Sequence, residues 1–107
     1  MNTIERKIIT YFINRAKMYG WQLHSVTTED GENSATVSSV EQALAEARQL
    51  DDALICFRQH APHTACARKG WVRFIFSNGN RGRDVLADAS SHMGGIVEQT
   101  NAYSETL

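Results

Sequence analysis

The chain of 107 residues reads as a single α+β domain, a mainly antiparallel sheet of four or five strands packed against three helices, in the order α-β-β-α-β-β-β-α. Three observations predict this class. Apolar residues recur at helical spacing near both ends and once in between, runs rich in β-branched and aromatic residues lie among them, and short turn signals separate the runs. Strands joined by short turns pair antiparallel, and helices that do not alternate with every strand gather on one face of the sheet. With 42% hydrophobic residues, a chain of this length holds one core, so residues 1–107 form one domain.

From Ile4, the residues Ile8, Tyr11, Phe12 and Tyr19 recur at helical spacing, widened by Ile9, Ile13 and Ala16, which predicts a core-facing helix over residues 3–19. Asn2 or Thr3 caps its first turn, Glu5 completes a capping box with Asn2, and Gly20 supplies the left-handed residue at its end. Trp21 to Val26 and Ser34 to Val37 form a hairpin whose acidic tip contains Asp30-Gly31. Ser38 or Ser39 caps a second helix, with Glu41 or Gln42 as the box partner, and the alanines beside Val40 and Leu44 suit close packing on a sheet. Asp51-Asp52 ends that helix. Ala53 to Arg58 and Gly70 to Phe76 read as paired strands, joined by one long loop from Gln59 to Lys69. Asn78-Gly79 and Gly82 then turn the chain into a short strand over Val85 to Ala89. Met93, Ile96, Val97, Thr100 and Tyr103 mark the last helix, its first turn weakened by Gly94-Gly95.

Net charge is −1, but it is segregated. Residues 1–52 carry eight acids and five bases, residues 84–107 four acids and no base, while residues 53–83 hold Arg58, Arg68, Lys69, Arg73, Arg81 and Arg83 and no acid. Such a block concentrates positive potential on one surface. With Trp71, these six cations are the candidate nucleic-acid-binding residues, since cations hold phosphates and aromatic faces stack on bases. Strand alternation sends Trp71, Arg73 and Ile75 one way and Val72, Phe74 and Phe76 the other, so Trp71 alone of these aromatics shares a face with Arg73. The plainer reading is a solvated outer face whose basic residues guard an edge strand.

Cys56, His60, His63 and Cys66 form C-x3-H-x2-H-x2-C, four ligand types that zinc accepts, though in no common zinc spacing. The ordinary reading, a packed Cys56 beside a solvated His-rich loop, is preferred, so no metal or other cofactor is expected. A Cys56–Cys66 disulfide ranks below zinc, and Cys–His catalysis with Asp84 or Asp88 as the third group lacks any surrounding signature. The chain contains no G-x-x-x-x-G-K, G-x-G-x-x-G, H-E-x-x-H or G-x-S-x-G motif. Its apolar runs, Ile8 to Ile13 and Ala53 to Phe57, are too short to cross a bilayer, and Asn14, Arg15 and Lys17 spoil any signal-peptide reading, so a cytoplasmic protein is expected.

The closing segment Glu98 to Leu107, preceded by Val85-Leu86-Ala87-Asp88, together with an Asn-Gly hairpin before a final helix ending near Tyr103, resembles small uncharacterised proteins encoded by bacteriophages, prophages and plasmids. The resemblance covers the general plan of most of the chain and brings no functional motif with it. It implies a bacterial accessory protein that works by occupying a partner. The expected function is therefore non-enzymatic binding of another macromolecule, a protein first, with nucleic acid as the alternative through the 53–83 surface and zinc as the other. Self-association into a homodimer is open through an exposed strand edge or a helix face.

Overall fold

A computed structural model of the protein describes residues 1–28, 30–60 and 67–107. Helix α1, Thr3–Met18, opens on the capping box that its sequence calls for: the Asn2 side chain accepts from the Glu5 backbone N–H, and the Glu5 carboxylate accepts from that of Asn2. Two antiparallel strands follow, β1 (Gln22–Thr28) and β2 (Ser34–Thr36). Helix α2, Val40–Ala47, is capped by Ser39, whose hydroxyl accepts from the Gln42 N–H. The Gln42 side chain reaches back to the N–H of Ser38, one residue earlier than a standard box. Then come β3 (Asp52–His60), β4 (Ala67–Ile75), β5 (Leu86–Ala89) and α3 (Gly94–Ser104), with 3-10 turns at Asn80–Gly82 and Ser91–Met93.

The sheet has five strands, all pairs antiparallel, in the order β2-β1-β3-β4-β5. This is the α+β class and element order the sequence predicts. Two expectations need correction. The long loop is shorter than residues 59–69, because Gln59 pairs with Arg68 and His60 with Ala67 in register; backbone hydrogen bonds carry the ladder past the apolar positions that betray it in sequence. Strand β4 is also not an edge along its whole length, since β5 pairs with it over Val72–Phe74, so Arg73 does not guard an open ladder.

Alternation decides the two faces. Ala53, Ile55 and Phe57 of β3 and Val72 and Phe74 of β4 are buried under the helices. Phe12 of α1 meets the rings of Phe57 and Phe74 at centroid distances of 6.0 and 5.9 Å. Ala43 and Ala47 let α2 lie close to the sheet, both fully buried. Helices α1 and α3 meet through the stacked rings of Tyr11 and Tyr103, 4.2 Å apart.

At one end of the sheet, Glu5 is buried to 1% exposure. Its second carboxylate oxygen accepts from the Ser77 N–H at 2.8 Å, tying α1 to the turn after β4. Gly82 packs against this knot at φ 96°, where an added Cβ would fall 2.7 Å from Asn2 and 2.8 Å from Glu5. At the other end, Gly70 leaves room for Met93 and Trp21, both buried.

Candidate functional site

All three helices lie on one side, so the other face of the sheet is bare of secondary structure among the described residues. Register defines its rows from one end to the other. Asp52 pairs with Ile75, Leu54 with Arg73, Cys56 with Trp71, and Arg58 with Lys69. On the flanks, Thr27 lies beside Leu54, Ser25 beside Cys56 and Gln22 beside Arg58, while Asp88 lies beside Arg73. A sheet with one solvated face normally presents polar residues there. The middle of this face instead presents Leu54, Cys56 and Trp71, with Ile75 in the end row beside Asp52, all half-buried except Trp71, which is 36% exposed. Among the described residues, Trp71 is the one large hydrophobic side chain exposed on the sheet.

The cations are placed by chemistry that their spacing in sequence does not reveal. Arg73 is held by Asp52: its Nε donates to both carboxylate oxygens at 2.9 and 3.1 Å, and a terminal nitrogen completes the ion pair. Asp52 thus begins a strand and fixes an arginine, where the sequence suggested the end of a helix. Arg58 and Lys69 are exposed, directly opposite one another, and the β1 residue in their row is Gln22.

Of the seven residues proposed for nucleic acid, Arg58, Lys69, Trp71 and Arg73 share this face. Arg68 alternates to the helix side, where it lines a cavity of about 330 Å³ with Tyr19, Trp21, Gln59, His92 and Gln99. The two glutamines are fixed there, Gln59 donating to the Tyr19 carbonyl at 2.7 Å and Gln99 to the Tyr19 hydroxyl at 2.9 Å. Arg81 and Arg83 lie in and just after the turn beyond the Asp52–Ile75 end of the sheet. Arg83 donates to the backbone carbonyls of Asn80 and Leu107, and the carbonyl of Arg81 accepts from the Asn2 side chain. The structure therefore divides the basic block among three places.

Cys56 is a free, half-buried thiol at the centre of the outer face. His63 and Cys66 lie outside the described residues, as does the His60 side chain, and among the described residues no three His, Cys, Asp or Glu side chains cluster as a metal site would require. Asp30 has its carboxyl held below the usual range, first by the Thr28 hydroxyl that donates to it and then by the Glu32 N–H; it sits in the β1–β2 turn, away from this face. No helix among the described residues is long and apolar enough to cross a membrane.

What the sequence reading missed is the apolar strip as a unit. Its members lie on two strands, and only the Cys56–Trp71 and Leu54–Arg73 registers bring them together. The alternation of β3 and β4 was the available signal, since it already placed each member opposite the buried set. No family model, curated protein or solved structure matches the chain.

Proposed function

We propose that this is a non-catalytic, cytoplasmic accessory protein that works by holding another protein against the outer face of its sheet. The observation that carries the reading is Trp71, exposed in the middle of an apolar strip on a face where solvent alone would favour polar side chains. Tryptophan and arginine are the residue types that dominate binding energy at protein interfaces, and Arg73 beside Trp71 is already oriented by Asp52. An accessory role also agrees with the resemblance to proteins of mobile elements.

A second reading, a single-stranded nucleic acid laid over Trp71, draws on the exposed Arg58 and Lys69 at one end of the strip. Against it stand the neutralisation of Arg73 by Asp52 and the placement of Arg68, Arg81 and Arg83 elsewhere, which leave no continuous track for phosphates among the described residues. The test is a titration of the purified protein against labelled single- and double-stranded oligonucleotides at two salt concentrations, with Arg58→Glu/Lys69→Glu as control. Protein binding predicts no shift even at low salt. A salt-sensitive shift abolished in the double variant transfers the function to nucleic acid.

A further inference from the structure

We propose that the cavity beside Trp21, on the helix-covered side of the sheet, binds a small organic carboxylate, with Arg68 on its charged group and Trp21 and Ile96 against its apolar body. This site lies on the opposite side of the sheet from Trp71 and stands independently of the protein-binding reading. It begins where the core stops. On the helix-covered side, the rows of β3 and β4 run Ala53–Phe74, Ile55–Val72 and Phe57–Gly70, all buried. The next row is Gln59–Arg68, an amide paired with a cation on the side where alternation has so far supplied core. One row earlier, Gly70 makes room for Trp21 and Met93. Trp21 and Ile96, each 4% exposed, thus give the cavity an apolar wall, and the Gln59–Arg68 row gives it a polar one.

The polar groups of the cavity are donors in excess. Tyr19 is held from two sides, by Gln59 on its carbonyl at 2.7 Å and by Gln99 on its hydroxyl oxygen at 2.9 Å. That oxygen accepts, so its own hydrogen is left to donate. The Arg68 guanidinium, the His92 ring and the Tyr19 hydroxyl all line the cavity, and among the described residues none of them has an acceptor. No Asp or Glu among the described residues lines it either, and residues 61–66, which join β3 to β4, contain none. An unbalanced arginine beside two further donors selects an anion, and the planar guanidinium fork matches a carboxylate atom for atom.

Charge and size narrow the class. Arg68 is the one permanent cation among the lining residues, which suits a monoanion; a phosphate monoester would bring about two negative charges to it. A volume of about 330 Å³ lies at the small end of the roughly 300–1,000 Å³ usual for ligand sites, so the occupant is a small acid. The flat indole of Trp21 favours a ring as its apolar part.

The experiment is a titration of the nitrogen-labelled protein with benzoate, followed by NMR of the backbone amides and the two indoles. Ordinary binding energy per atom puts the dissociation constant of so small a probe at about 1 mM. The expected result is saturable shifts at the Trp21 indole, Gly95 and Gln99, with the Trp71 indole unmoved. Arg68→Gln weakens binding at least about tenfold, as loss of a charge-assisted contact requires, and Tyr19→Phe weakens it a few-fold. Both positions are exposed, and thermal melts confirm that the variants fold. Benzamide, which keeps the ring without the charge, and acetate, which keeps the charge without the ring, each bind at least about tenfold more weakly than benzoate. A titration that has not saturated by about 20 mM overturns the proposal, as do shifts at Trp71 in place of Trp21 or binding indifferent to Arg68→Gln. Benzamide as tight as benzoate overturns it too, and inorganic phosphate tighter than benzoate replaces the carboxylate with another anion. The protein-binding reading rests on Trp71 and survives a failure at Trp21.

Discussion

Replacing Glu5 with alanine tests whether the buried carboxylate fastens the first helix to the sheet. In the folded chain its two oxygens accept one backbone N–H each, from Asn2 at 2.8 Å and from Ser77 at 2.8 Å. Hydrogen bonds to a charged acceptor contribute roughly 1.5–3 kcal/mol apiece, so the pair is worth about 3–6 kcal/mol before the cost of keeping the carboxylate dry. That cost, relieved in the variant, offsets about half, while the stranded Ser77 N–H adds its own penalty. The net expectation for Glu5→Ala is a loss of about 3 kcal/mol. With an unfolding entropy of about 2.1 cal/mol/K per residue, this lowers Tm by about 13 °C. Glu5→Gln keeps one acceptor but turns an amide NH2 towards a backbone donor, and should lose about 2 kcal/mol. Urea and thermal unfolding followed by circular dichroism measure both. A Glu5→Ala loss below about 1 kcal/mol with an unchanged urea slope would refute the reasoning, because the desolvation of Glu5 would then cancel its bonds.

Three further outcomes follow from the same geometry. Gly70→Ala places a methyl 2.8 Å from the Met93 sulfur and 3.0 Å from Trp21, and overpacking of this kind should cost about 1–2 kcal/mol in a urea melt despite the better strand propensity of alanine; a gain in stability would mean that the contact yields freely. The Asp30 carboxyl, followed by NMR, should titrate below 3.8. Because folding lowers its pKa, its contribution is present above that value and lost as pH falls through the folded midpoint, so the β1–β2 turn should be unchanged by Asp30 near neutral pH; a midpoint above 3.8 contradicts the Thr28 hydrogen bond. Elemental analysis of protein purified without added metal should find well under one zinc per chain, and stoichiometric zinc lost in Cys56→Ser would instead assign a site to Cys56 and the following histidines.

Much of the fold was legible because it rests on local chemistry. The Asn2–Glu5 box, the Ser39 cap and the strict alternation from Trp71 to Phe74 each involve residues within one turn or one strand. What escaped was non-local. Nothing near Glu5 in sequence announces Ser77, and nothing near Asp52 announces Arg73. Gln59, His60 and Ala67 to Lys69 lack the apolar alternation of a half-buried strand, so only their pairing assigns them to one. The candidate site was legible in its members and not in its outline: alternation gave the direction of Trp71 and Arg73, whereas register made neighbours of Cys56, Leu54 and Trp71 and extended β4 to Arg68, which alternation then turns to the opposite side.

The stacking of Tyr11 on Tyr103 bears on the order of events at the ribosome. Synthesis runs from the amino end at about 5–20 residues per second, so Tyr11 emerges several seconds before its ring partner exists. Helix α1 must spend that interval with its apolar stripe short of the α3 contact, and no early fragment can complete the layer that covers the sheet. The chain thus completes this contact only once α3 has been made. A pause in translation anywhere before α3 prolongs the life of a form with Phe12 and its neighbours incompletely covered, and that is the form a chaperone or a protease would meet.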